Sequence, residues 1–379
     1  MNIGLVIFPF HPNHGSILQT FAIYTKLKED GHNVTIINRR IAPPKFGFVL
    51  KRTLANLKKT IQGVYHGPIY YNGYSPKLLM QNLQPFIDSY FGDSVHTFFN
   101  EESVRKFIVD NNFDAFVVGS DQVWRPHYVP DIYHYYLGFV PQEMKCKRIA
   151  LCPSFGSERW EYTEEQTKRC RDLITQFDAV AVREISGVKL CKDFLNKDVV
   201  NLLDPTVLFP SQKYADTFVN YADKKELNNV GQVSVYYIFN SEEKRKISQK
   251  VGFLLGKEVK IIISQIKDYN ENIQKRIAPS LTTWIKGFID ADFVVTDSFH
   301  STMFALYFNK PFVTIANNQT GSSRFQSILS ALNMENRIII NSEDINESLL
   351  TEKIDWTVVN QYFEEQRLRS ICFLRDGLK

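Results

Sequence analysis

Four times along this 379-residue chain a short apolar run ends in a polar turn, and the turn usually opens a helix. Ile3–Phe8 leads into Asn13-His14-Gly15, FDAFVV into GSDQVWRP (119–126), AVAV into Arg183-Glu184, and DFVV into Asp297 to His300. Apolar runs this short, alternating with segments of helical periodicity, make buried strands of a parallel sheet. A parallel sheet puts each such turn at the carboxyl end of its strand, the rim where open α/β sheets bind ligands. One pattern therefore restricts both the fold and the edge on which a site must lie.

In the first half, strands are expected at Ile3–Phe8, Val34–Asn38, Phe113–Val118, Arg148–Cys152, Ala179–Val182 and Val199–Leu203. Helices are expected at Gly15–Asp30, Glu101–Asn111, Thr163–Phe177 and from Glu184. Residues 41–95, broken by Pro43, Pro44, Pro68, Pro76 and Pro85, read as an insertion over the sheet. A polar stretch from Asp204 to Asn229 separates a second run, with strands at Val233–Phe239, Val259–Ser264, Asp292–Thr296, Phe312–Ala316 and Arg337–Asn341. The chain is long enough for two cores. The expectation is an α/β protein of two Rossmann-like, doubly wound domains facing across a cleft. Residues 1–210 form the first, 230–345 the second, and 355–379 a helix that packs back on the first.

A net charge of +4 is far short of the basic footprint of a nucleic-acid binder. No stretch approaches the ~20 apolar residues of a membrane span. MNIGLVIFPFHPNHG lacks the basic start and the apolar length of a signal peptide. Cys146, Cys152, Cys170, Cys191 and Cys372 are odd in number and show no metal spacing, so they read as reduced thiols. The expected location is the cytoplasm, with peripheral membrane attachment left open. The basic amphipathic piece FGFVLKRTLANLKKTI suits acidic lipid or a solvated face.

The turns hold the candidate chemistry. Asn13 and Gly15 lack the full GxGxxG pattern, so no dinucleotide cofactor is indicated. That turn is either a plain helix start or a place where backbone N–H groups meet an anion or a sugar hydroxyl. In GSDQVWRP, the residues Ser120, Asp121, Gln122, Trp124 and Arg125 set polar groups beside an aromatic plate, which suits a sugar. Asp121 is placed to take a proton from a hydroxyl. The alternative has Asp121 capping a loop and Trp124 in the core. Arg183, directly after a buried strand, needs an anionic partner, either a ligand or a carboxylate such as Glu184. His300 stands at a strand end and a helix start, suited to proton handling beside a phosphate or carboxylate. Arg324 in GSSRF is a second candidate anion contact, and Asp204-Pro205 reads as a structural exit from the first domain. No metal is called for.

The ordered set NHGSILQTFAIYTKL, FDAFVVGSDQVW, KRIALCPSFG, AVREISG, LLDPTVLF and DFVVTDSFHSTMFAL resembles the polysaccharide pyruvyl transferase family. The resemblance implies two Rossmann-like domains of the GT-B kind. It also implies transfer of a pyruvyl group from phosphoenolpyruvate to a sugar diol, forming a cyclic ketal and releasing phosphate. The implied acceptor is a surface or capsular polysaccharide or its lipid-linked precursor, handled at the inner face of the plasma membrane. The family arginine falls on Arg183 and the family histidine on His300, the expected donor contact and acid–base residue. Ser298, Phe299 and Arg324 complete the donor side; Asn13, Gly15, Ser120, Gln122, Trp124 and Arg125 the acceptor side, with Asp121 as second catalytic group. Many members carry Arg-Leu-His where this chain has Ser298-Phe299-His300, and Arg324 or Arg125 are the candidates to supply that charge. Two other readings stay open: a GT-B glycosyltransferase using a nucleotide sugar, and an inactive carbohydrate-binding assembly protein.

Overall fold

The computed structural model describes residues 1–42, 46–63, 76–219, 232–238, 241–262, 273–316 and 322–379. Its first sheet contains β1 (Asn2–Val6), β2 (Asn33–Arg39), β3 (Val95–Phe98), β4 (Ala115–Val118), β5 (Lys147–Leu151), β6 (Ala179–Val182) and β7 (Val200–Asn201). All pair in parallel in the order β3-β2-β1-β4-β5-β6-β7. The second sheet contains β8 (Gln232–Tyr236), β9 (Val259–Ile261), β10 (Ala291–Thr296), β11 (Phe312–Ile315) and β12 (Ile338–Ile339) in the order β12-β11-β10-β8-β9. Strand order reverses between β1 and β4 in one sheet and between β8 and β10 in the other. A crevice opens at the carboxyl ends of the strands at each reversal.

The helices are α1 (His14–Glu29), α2 (Phe46–Ile61), α3 (Pro76–Leu79), α4 (Gln84–Tyr90), α5 (Glu101–Asp110), α6 (Glu164–Ile174) and α7 (Ile185–Leu195). They continue as α8 (Ser211–Val219), α9 (Glu242–Leu255), α10 (Leu281–Ile289), α11 (Phe299–Tyr307), α12 (Ser322–Ala331), α13 (Glu347–Thr351) and α14 (Trp356–Gly377). Local chemistry sets many of their starts. Asn13 accepts from the Ser16 N–H, Ser298 from the Ser301 N–H, and Thr163 with Gln166 forms a reciprocal capping box. The stretch read as an insertion ends in β3, which hydrogen-bonds to β2 and forms the sheet edge. Pro43, Pro44, Pro68, most of the polar stretch before Asn229, and the strand ends expected at Phe239 and Ser264 lie outside the described residues.

Each sheet has an apolar cluster of its own, and a third cluster spans both. Phe21 of α1 and Trp284, Phe288 and Phe304 of the second half belong to the same buried cluster. Across this junction His14 stacks on Trp284, 5.4 Å between ring centres, and its Nε2 lies 2.8 Å from the Pro279 carbonyl. Helix α14 touches both halves. Phe363 packs on Tyr307, and a Cβ at Gly377 would meet Ala179 and Ile149 at 3.2–3.3 Å. The crevice of the second sheet is thereby held over that of the first.

Candidate active site

Ser298 ends its strand connection and caps α11, which begins at Phe299 and places His300 in its first turn. The His300 ring then lies directly on Gly15 in the first turn of α1. A Cβ at Gly15 would fall 2.6 Å from His300 Cε1 and closer still to Cγ and Nδ1. No side chain fits between ring and helix, so glycine is required here for space.

Beyond the ring stands a carboxylate. His300 Nε2 is 3.4 Å from Asp204 Oδ2, and Arg183 Nη1 reaches the same oxygen at 3.1 Å. The Gln19 amide nitrogen donates to Asp204 Oδ2, lies 2.9 Å from His300 Nε2 and 3.3 Å from Ser120 Oγ. Thr206 N–H and Oγ1–H donate to the other Asp204 oxygen at 3.1 and 2.9 Å. Burial pushes the Asp204 carboxyl up, but His300, Arg183 and the Thr206 N–H more than offset it and hold the group well below the usual carboxylate range. Asp204 is therefore a fixed negative charge facing the imidazole. A neutral His300 accepts the Gln19 N–H at Nε2, whereas an imidazolium points that nitrogen at Asp204.

Arg183 is buried between two carboxylates, with Nε 3.3 Å from Glu184 Oε1, and its guanidinium lies 4.8 Å above the Phe299 ring. Burial lowers its pKa, yet Glu184, Asp204 and Asp121 raise it further, so it stays charged. Arg183 Nη2 and Glu184 Oε2 have no partner among the described residues. Ser154 donates to the other Glu184 oxygen. Asp121 holds a left-handed φ of 77° and accepts the Gln122 N–H at 2.8 Å. Burial pushes its carboxyl up, but Arg183, His300 and His11 bring it below the ordinary value. Left-handed backbone at a non-glycine residue is costly and marks a position the surroundings enforce.

The structure thus brings Gly15, Ser120, Asp121, Arg183, Phe299 and His300 to one point and leaves other expected residues elsewhere. The sugar-stacking role expected of Trp124 is corrected. Its ring is fully buried, stacked 4.6 Å from Tyr136, with Nε1–H donating to the Tyr135 carbonyl. Arg125 does not replace the missing charge, because Nε and Nη2 both bind Glu161 at 3.0 Å. Gln122 uses its carbonyl oxygen to hold Arg125 Nη1 at 3.1 Å. The side chains of Asn13 and Ser298 are occupied as helix caps. The side chain of Arg324 lies outside the described residues. Asp204, read from sequence as structural, is instead the hub. It follows a short strand and opens a turn, the same grammar as the other four segments, and that was its signal. Gln19 carried none, because α1 is buried nearly all round and no face of it stands out.

Two parallel sheets with facing crevices, closed over a His–Asp–Arg cluster, define a GT-B-like two-domain α/β protein. Solved structures agree on the fold. UDP-N-acetylglucosamine 2-epimerase from Methanocaldococcus jannaschii is similar at a TM-score of 0.53 and 13% identity, covering 100% of both chains. The enzyme of that name from Neisseria meningitidis, solved with UDP-GlcNAc, gives 0.53 and 10%, covering 100% of this chain and 99% of its own. A UDP-glucosyltransferase from Polygonum tinctorium gives 0.50 and 11%, covering 100% and 97%. A sequence search of curated proteins finds no match. The family model for polysaccharide pyruvyl transferase matches residues 13–319, and the chain belongs to that family. It is a transferase whose reaction moves a pyruvyl group to a polysaccharide.

Proposed function

We propose that the donor is phosphoenolpyruvate and the acceptor a sugar diol of a surface or capsular polysaccharide or its lipid-linked precursor. The observation that carries this reading is the buried Arg183 Nη2, a charged donor without a partner beside His300. An unpaired guanidinium N–H in a dry site is costly unless a ligand anion completes it. Phosphoenolpyruvate supplies a carboxylate and a phosphate, either of which fits that vacancy of hydrogen bonding. The Phe299 ring 4.8 Å from the guanidinium carbon adds a cation–π contact to the charged arginine.

His300 protonates the donor's methylene carbon, which becomes the ketal methyl and leaves positive charge on the adjacent carbon. Asp204 supplies the counter-charge to the imidazolium beforehand. Asp121, an ionised carboxylate, takes the proton of the first sugar hydroxyl as its oxygen bonds to that carbon. The carbon–oxygen bond to phosphate then breaks, the second hydroxyl adds, and its proton leaves with hydrogen phosphate. Acid–base groups so placed contribute about 10²–10⁴-fold each.

The test is donor-dependent. Phosphoenolpyruvate should raise the melting temperature where UDP-sugars do not, and phosphate should appear only when a glycoside acceptor is also present. His300→Ala should lower that rate by about 10² or more with an unchanged circular dichroism spectrum. Stabilisation by UDP-sugars alone would assign the chain to sugar transfer instead.

A further inference from the structure

Helix α2 is built inside out for a helix on a soluble domain. Leu50, Leu54, Leu57 and Ile61 are 49%, 58%, 39% and 78% exposed, while Asn56 is buried and Thr53 and Thr60 are partly so. At about 100° per residue the four apolar side chains fall within an arc of roughly 60°, so they make one stripe along the helix. The less exposed side, with Thr53, Asn56 and Thr60, lies about a quarter turn away. Lys51 and Lys58 flank the stripe on the opposite quarter, and Arg52 and Lys59 stand behind. All four cations are exposed, and residues 46–61 contain no acidic side chain. A stripe of this kind is not accounted for by ordinary scatter of surface leucines, because its members align and its charges have one sign.

We infer that α2 docks the protein on an anionic lipid surface. The stripe enters the acyl boundary, Lys51 and Lys58 meet the headgroups on one side, and the less exposed quarter bearing Thr53, Asn56 and Thr60 lies on the other side. Spanning is ruled out for this helix by its length and charge, and no helix among the described residues is long and apolar enough to cross a membrane. Charge complementarity also selects lipid over a second copy of the chain. Two copies meeting stripe to stripe would bring Lys51 and Lys58 of each, four cations, together with no anion from either helix. The helix is reached seven residues past the end of β2, whose carboxyl end belongs to the rim that carries the site.

Vesicle co-sedimentation of the full chain tests this without any reaction, so its outcome leaves the donor assignment untouched. The chain should bind phosphatidylcholine vesicles containing phosphatidylglycerol at least about tenfold more tightly than phosphatidylcholine alone, and added salt should weaken the binding. The double variant Leu54→Glu/Leu57→Glu should fall to background. Lys51→Glu/Lys58→Glu should bind the anionic vesicles at least about tenfold more weakly, since each lysine near such a surface is worth roughly fivefold. All four positions are exposed, and melting curves confirm that the variants fold. In the unmodified chain, hydrogen exchange of the α2 amides should slow when anionic vesicles are added. Absence of vesicle binding, binding unchanged in both variants, or α2 exchange unaffected by vesicles would each overturn the proposal. So would a concentration-dependent dimer that Leu54→Glu/Leu57→Glu dissociates, which would give the stripe to a second copy.

Discussion

Replacing Gly15 with alanine separates the geometry of the His300 site from the stability of the fold. The new methyl would sit 2.6 Å from His300 Cε1, with other ring atoms nearer. Carbon atoms settle at about 3.5–4.0 Å, so the imidazole must shift by more than about 1 Å and lose its present setting against Asp204 and Gln19. A displacement of that size at a reacting group costs about 10² in rate. Stability should change little. Alanine is better than glycine in a helix by up to about 1 kcal/mol, against about 1–3 kcal/mol for overpacking. The expected result is kcat for phosphate release reduced about 100-fold, with a melting temperature within several degrees of the unmodified protein. The same substitution in a His300→Ala background should cost almost nothing further, because the ring it strikes is gone. A Gly15→Ala enzyme that turns over normally, or an equal loss in both backgrounds, would show that the position of His300 over α1 is not what matters.

Gln19→Leu keeps the side-chain volume but removes the amide that touches Asp204 and His300; kcat should fall about 10–100-fold, the worth of hydrogen bonds to charged groups, and the pH–rate profile should shift. An unmoved profile would make Gln19 a packing residue. Arg183→Lys cannot hold Asp204 and Glu184 together and still offer a donor, so the KM for phosphoenolpyruvate should rise at least about tenfold; an unchanged KM would restrict Arg183 to ion pairing within the protein. His14 is lowered by burial to about 4 from an ordinary 6.5, against the opposing Pro279 hydrogen bond. The unfolded chain therefore takes up this proton first as pH falls, and stability that is full above pH 6.5 should decline by up to about 3 kcal/mol toward pH 4. Urea unfolding across that window, compared with His14→Gln, reads the difference; parallel curves would remove His14 as the cause.

Much of the architecture was legible in local pattern. The short apolar runs at 3–6, 34–37 and 293–296 read as buried strands, and Asn13, Thr163 and Ser298 mark helix starts through hydrogen bonds made within four residues. Parallel pairing then forces the polar turns onto one rim, which is why Asp121, Arg183 and His300 were visible as candidates. Their company was not. Trp124 and Asp121 sit three residues apart on one turn, yet one ring is sealed against Tyr136 while the other carboxylate faces Arg183 and His300. Arg125 and Arg183 are both arginines after strands, but only the neighbourhood of Glu161 commits the first. Gln19, Asp204 and His300 come from three elements, two of them in the first half and one in the second, and they meet because the crevice of one sheet closes on that of the other. Periodicity and capping act over a few residues and decide what each segment becomes. Which side chains share a buried charge depends on strand order and domain packing, where contacts join residues hundreds of positions apart.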